Sequence, residues 1–135
     1  MPMTPIPWSS NRSAAARPSS RLAFTASATE AINWALKGTA ERAAGSKRNR
    51  IITLATEHGA VLDTCEWLAE RGTEVVVLPV ERDGRVDLDL LERELDDRAL
   101  LVAVMLVNNE IGVLQPVGEI AQMAKKAGAL MLCDA

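Results

Sequence analysis

The feature that most constrains this chain is an alternation between short, almost wholly apolar runs and longer stretches with helical spacing. Ile51–Ala55, Glu74–Val80 (EVVVLPV), Leu100–Val107 and Ala129–Cys133 are rich in aliphatic and β-branched residues without in–out alternation. For Ile51–Ala55 that lack of alternation is what burial of both faces predicts. A further strand is read at Leu22–Ala26. Between the strands lies a helix from about Thr29 to Ala44, with Ile32, Ala35, Leu36 and Ala40 on one side and a stop at Gly45. The next, His58–Arg71, places Val61, Leu62, Cys65, Leu68 and Ala69 at i, i+3 and i+4 spacing before Gly72. After a turn at Asp83-Gly84, Asp87 is placed to N-cap a short helix over Leu88–Leu95. Pro116 opens the last helix, Val117–Ala127, and Gly128 closes it. Strands alternating with helices at these spacings imply an α/β fold of βαβ units around a mostly parallel sheet covered on both faces. Leu100–Val107 is the most apolar strand and is expected at its centre.

Composition narrows the function classes. A chain of 135 residues, 48% hydrophobic and 24% charged, suits one ordinary globular domain. A net charge of −3 and 3% aromatic residues give neither the basic footprint nor the stacking platform of a nucleic-acid binder. The longest apolar run, Ala99–Val107, is far shorter than the ~20 residues of a membrane span. Two cysteines, Cys65 and Cys133, make no disulfide framework and no zinc knuckle, so a reducing, cytoplasmic setting is expected. Both are read as packed small hydrophobes. The single histidine, His58, excludes multi-histidine metal sites. Residues 1–29 carry Arg12, Arg17 and Arg21 and no acid, leaving −6 on the remainder. An acid-free leader with Ser and Arg can read as a transit peptide, but Pro2, Pro5 and Pro7 oppose an amphipathic helix. Residues 1–21 are therefore read as a disordered or non-native leader, and residues 22–135 as the domain.

In open parallel sheets, ligands bind beyond the carboxyl ends of the strands. The sequence places Ser27-Ala28-Thr29-Glu30, Thr56-Glu57-His58, Asn108-Asn109-Glu110 and Asp134 at such ends. Each group also has a bland reading: polar βα loops and helix caps favour the same residue types. Ser27–Thr29 can offer backbone N–H groups to a phosphate or merely cap a helix. His58 can stack on a flat ligand or move a proton, or cap the helix it starts. Asn108-Asn109 has no evident core partner, so a polar ligand is expected there. Asp134 can hold a protonated heterocyclic nitrogen or N-cap a further helix. The lysines, Lys37, Lys47, Lys125 and Lys126, fall in or after helices, away from the crevice.

Taken in order, FTASATEAINWALKG (Phe24–Gly38), the run Ile51–Leu88 containing TEH and AVLDTC, VNNEIG within Leu101–Gly128, and the terminal LCDA resemble the cofactor domain of cysteine desulfurases. These belong to the class V aminotransferase group of fold type I pyridoxal-phosphate enzymes, and the resemblance covers about residues 22–135. It implies that Ala28 and Thr29 belong to the phosphate-binding turn. It further implies that His58 stacks over the cofactor ring and is the catalytic proton-transfer residue. By the same resemblance Asn109 bonds the phenolic oxygen, Asp134 pairs with the pyridinium nitrogen, and Glu110 supports them from behind. Pyridoxal 5'-phosphate is the implied cofactor. L-Cysteine is the implied substrate, giving L-alanine, with sulfur passed through an enzyme cysteine to an acceptor protein for iron–sulfur or thio-cofactor assembly. A homodimeric parent is implied as well.

Two departures qualify the resemblance. Ser27 stands where the family's phosphate turn usually has glycine, which suggests a crowded phosphate or a strained backbone. No residue here matches the Schiff-base lysine, the glutamine after the aspartate, or the loop cysteine that accepts sulfur. The chain is thus expected to be a fragment, inactive alone, with exposed sheet edges and apolar helix faces. The alternatives are a fragment of a related class V aminotransferase or selenocysteine lyase, a non-catalytic cofactor- or phosphate-binding module, and a truncated product without independent function.

Overall fold

A computed structural model describes residues 22–108 and 110–135. Among them the chain runs α1 (Ala28–Arg42), β1 (Arg50–Leu54), α2 (Gly59–Ala69), β2 (Glu74–Leu78), α3 (Leu88–Glu94), β3 (Ala99–Met105), α4 (Val117–Ala127) and β4 (Leu130–Asp134). The strands form one sheet in the order β2-β1-β3-β4, and every pair is parallel. Central placement of the most apolar strand follows: β3 lies inside the sheet beside β1, and six of its seven residues are buried.

The missing alternation in the strands has a direct cause. Neighbouring residues of one strand enter opposite cores. Ile51 of β1 with Leu101 and Ala103 of β3 pack against Ile32, Leu36 and Ala40 of α1 and Val61, Cys65 and Leu68 of α2. Ile52 and Leu54 with Val102 and Val104 pack against Leu91 of α3 and Ile120 and Ala124 of α4. Both faces of β1 and β3 are therefore buried, and burying each such side chain contributes roughly 1.5–3 kcal/mol. The edges are less covered. Val77 on β2 and Leu130 on β4 are exposed, as is Trp34 on α1.

One expected strand does not form. Leu22–Ala26 is irregular, with Leu22 and Phe24 84% and 89% exposed. Strand propensity needs a neighbouring edge to pair with, and none lies beside these residues among those described. Residues 1–21, read from the sequence as a leader, lie outside the described residues. No helix among the described residues is long and apolar enough to cross a membrane.

Chain direction sets where ligands can approach. From β1 the chain moves outward through α2 to β2, then returns through α3 to β3 on the other side of β1. The connections after β1 and β3 thus leave toward opposite faces, α2 to one and α4 to the other. Such a reversal, here between the carboxyl ends of β1 and β3, is where open parallel sheets bind ligands. Gly84 helps fix the loop near its rim. It has φ +84°, and a Cβ there would lie 2.7 Å from Ile111 Cδ1, so no other residue fits without strain. Buried Gln115 locks the same loop, accepting from Val86 N at 2.9 Å and donating to Gly84 O at 2.8 Å.

Candidate functional site

Three groups reach the carboxyl edge by different routes. Helix α1 ends where the chain enters the amino end of β1, so its 15 residues run against the strands and its N-terminus points to the carboxyl edge. Ser27 caps it: its Oγ accepts from Glu30 N at 3.1 Å, and Glu30 Oε2 accepts from Ala26 N at 2.9 Å. This reciprocal pair resembles a capping box. The strain expected of a non-glycine at Ser27 is absent, because φ −157° and ψ 164° are ordinary extended values. The N–H groups of Ala28 and Thr29 donate to no acceptor among the described residues. Both residues are exposed at the positive end of the helix dipole.

His58 is the N-cap of α2. Its Nδ1 accepts from Ala60 N at 3.1 Å, and its carbonyl accepts from Val61 N at 2.9 Å. An accepting Nδ1 fixes the tautomer with hydrogen on Nε2, and the ring is exposed. The cap role and an available ring face thus coexist.

Asp134 is the last residue of β4, half-buried, in register with Met105 of β3. Its carbonyl accepts from Leu106 N at 2.8 Å, which fixes the backbone, while its side chain forms no ion pair among the described residues. Asn109 lies outside the described residues. Glu110 is exposed in the following turn and donates its N–H to Asn108 Oδ1 at 2.8 Å.

Two expectations need correction. Asn108 has protein partners: Nδ2 donates to Thr56 O at 2.7 Å, and Oδ1 accepts from Glu110 N and Ile111 N. It ties the loop after β1 to the loop after β3, a bond between segments 52 residues apart that sequence spacing cannot reveal. Cys133 is exposed rather than packed, because β4 is an edge strand. Partial burial, then Asp134, still push its thiol up. Cys65 is buried, and burial raises its thiol to about 11. Neither environment favours a thiolate.

Glu57, placed by the sequence only as part of the Thr56-Glu57-His58 group and given no role, is the least expected member of this edge. It is 93% buried, its Oε1 accepts from Met105 N at 3.0 Å, and its Oε2 is buried without a partner among the described residues. Burial first, with repulsion from Asp134, raises its carboxyl to about 7. The available signal was a carboxylate three residues past a fully buried strand. No group of His, Cys, Asp or Glu side chains among the described residues could hold a metal ion.

Polar groups gathered beyond parallel strand ends, where the strand order reverses, define the doubly wound α/β class of ligand-binding domains. Residues 12–135 match the sequence profile of the Aminotransferase class-V family, and the chain belongs to that family, whose members are pyridoxal-phosphate-dependent enzymes. The match begins inside the segment read as a leader. The chain is 44% identical over 111 residues to the cysteine desulfurase IscS of Rickettsia bellii, covering 82% of this chain and 27% of that protein. A solved NifS-like protein shares 42% identity at a TM-score of 0.76, and DndA from Streptomyces lividans 43% at 0.75. Each of these structural matches covers 79% of this chain and 30% of the other. The chain thus spans less than a third of the length of the relatives it matches.

The donors present suit pyridoxal phosphate in kind. Unpaired helix N-terminal N–H groups match a phosphate, an exposed imidazole matches a flat ring, and an unpaired carboxylate matches a protonated ring nitrogen.

Proposed function

We propose that this chain is the pyridoxal-phosphate-binding part of a cysteine desulfurase. The observation that carries this reading is the gathering of α1's open N-terminus, His58 and Asp134 at the carboxyl edge of a sheet whose order reverses there. The 44% identity to a cysteine desulfurase supports the substrate, and so does likeness to a solved relative described as SspA in complex with cysteine, at 30% identity and a TM-score of 0.74.

In this reading the N–H groups of Ala28 and Thr29 bind the phosphate, His58 lies over the ring, and Asn109 bonds the phenolic oxygen. The Asp134 carboxylate holds the proton on the ring nitrogen. Pyridoxal phosphate bound there would supply an electron sink for bond cleavage at the amino-acid substrate. The parent would convert L-cysteine to L-alanine, passing sulfur through an enzyme cysteine to an acceptor protein for iron–sulfur or thio-cofactor assembly. A homodimer in the cytoplasm, where free thiols stay reduced, completes the proposal.

Within these 135 residues, no lysine is available to hold the cofactor covalently. Lys37 lies over the Trp67 ring, Lys47 pairs with Asp97, and Lys125 and Lys126 end α4. The chain alone is therefore expected to bind pyridoxal phosphate without catalysing desulfuration. Titration of the purified chain with pyridoxal phosphate, followed by absorbance and tryptophan quenching, tests the binding. Saturable binding weakened by both His58→Ala and Asp134→Ala is expected; linear, unsaturable uptake would sink the reading. Alanine and sulfide release above the free-cofactor background would contradict the inactivity.

A further inference from the structure

Glu57 has no task in the reading above, yet its surroundings are the least ordinary at this edge. Its side chain reaches from the loop after β1 to the end of β3, where Oε1 accepts the Met105 N–H at 3.0 Å. Met105 is the register partner of Asp134, and the next residue, Leu106, donates its N–H to Asp134 O at 2.8 Å. One hydrogen bond and one step of the ladder thus join Glu57 to the strand end that carries Asp134. The second oxygen, Oε2, is buried and meets no donor among the described residues.

The titratable groups facing Glu57 are Asp134 and Cys133 on β4 and Cys65 on α2, with His58 next in the chain. The first three are acids, so an ionised Glu57 would repel each of their charged forms. It would also leave a buried carboxylate oxygen without a donor among the described residues, whereas the neutral acid leaves only one O–H unmatched, a smaller penalty.

We propose that Glu57 is a positioning residue of the carboxyl-edge site, a neutral acid that clamps the loop bearing His58 to the end of β3 and leaves the negative charge at those strand ends to Asp134. The clamp's service to a bound ring rests on the pyridoxal-phosphate reading; the proton on Glu57 does not. Glutamine at this position keeps an acceptor for the Met105 N–H and stays neutral at every pH. Alanine removes the clamp.

The test uses the full chain in two arms. In the first, urea midpoints of wild type and Glu57→Gln are compared without cofactor between pH 4.5 and 8.5. The wild-type midpoint is expected to fall by on the order of 1 M as pH rises, with the fall missing from Glu57→Gln. Because His58, Cys65, Cys133 and Asp134 are present in both proteins, the difference belongs to Glu57. Identical profiles would overturn the proposal. In the second arm, pyridoxal phosphate is titrated into wild type, Glu57→Gln and Glu57→Ala at pH 6. Affinity retained by glutamine and weakened at least ~5-fold by alanine is expected for a clamp worth one hydrogen bond. Equal affinity in all three, or glutamine as weak as alanine, would overturn it. If alanine prevents folding, the glutamine variant and the first arm still decide. A wild type that binds no pyridoxal phosphate would overturn the cofactor reading and the clamp's role in it, with the proton on Glu57 judged by the first arm alone.

Discussion

The two edges of the sheet treat charge in opposite ways. At the amino edge Arg50 is buried and surrounded, with Glu74 at 2.7 Å and Glu94 and Asp96 at 3.3 Å. Arg98 adds a bond to Asp96 at 2.8 Å. At the carboxyl edge Glu57 and Asp134 form no ion pair among the described residues, and His58 is tied only through its cap. The carboxyls register the contrast. Hydrogen bonds from Arg98 hold Asp96 down at about 2, while burial lifts Glu57 to about 7. Paired charges at one end secure the fold. At the other, a neutral Glu57, as proposed, leaves Asp134 as the one negative charge, for a ligand's protonated nitrogen to complete.

The largest expected effect breaks the paired edge. Arg50→Ala leaves Glu74, Glu94 and Asp96 facing one another without their shared cation. It should destabilise the chain by about 3–5 kcal/mol in urea unfolding. A loss below about 1 kcal/mol would mean that the cluster is no more than a surface ion pair.

Next is the pH response, where the two edges work in opposite directions. Asp96 titrates below its ordinary value of 3.8 when folded, so its contribution is present above about pH 4 and lost as pH falls toward 2. Glu57 titrates above its ordinary 4.5, so its contribution is present below about pH 4.5 and lost as pH rises through 7. The shift corresponds to about 3 kcal/mol, lost in the neutral range and absent from Glu57→Gln. Denaturation midpoints across pH 2–8.5 should decline toward both ends; a wild-type profile flat from pH 4.5 to 7 would contradict the assignment to Glu57.

The smallest effect separates helix capping from ligand binding at α1. Ser27 Oγ is engaged with Glu30 N, whereas the N–H groups of Ala28 and Thr29 are open. Ser27→Ala should therefore cost about 1 kcal/mol of stability and leave pyridoxal-phosphate affinity unchanged. A large loss of affinity with no loss of stability would move Ser27 into the phosphate site.

The same contrast explains what could be read from the sequence. The four strands and four helices were legible because each depends on local signals: aliphatic and β-branched runs, helical spacing, an Asp87 cap, a Gly128 stop. Strand β2 was expected to run to Val80 but ends at Leu78, where the following Pro79 lacks a ladder donor. Leu22–Ala26 has the composition of a strand but lacks the partner that makes one. Among the candidate residues, His58 and Asp134 were legible as groups that follow strands, whereas Ala28 and Thr29 were expected after a strand at Leu22–Ala26 that does not form and lie at the start of α1 instead. Glu57, Asn108 and Cys133 were not. Their surroundings depend on contacts across 48 residues to Met105, across 52 residues to Thr56, and on which strand ends the sheet.

The central claim is that the carboxyl edge, and not the amino edge, is completed by a ligand. Dissociation constants of pyridoxal phosphate for wild type, Asp134→Ala and Asp97→Ala test it most directly, since Asp97 is an amino-edge acid paired with Lys47. Loss of a charge-assisted partner at Asp134 predicts roughly 10-fold weaker binding, with Asp97→Ala matching wild type. Equal affinity in all three proteins, or weakening by Asp97→Ala alone, would contradict it.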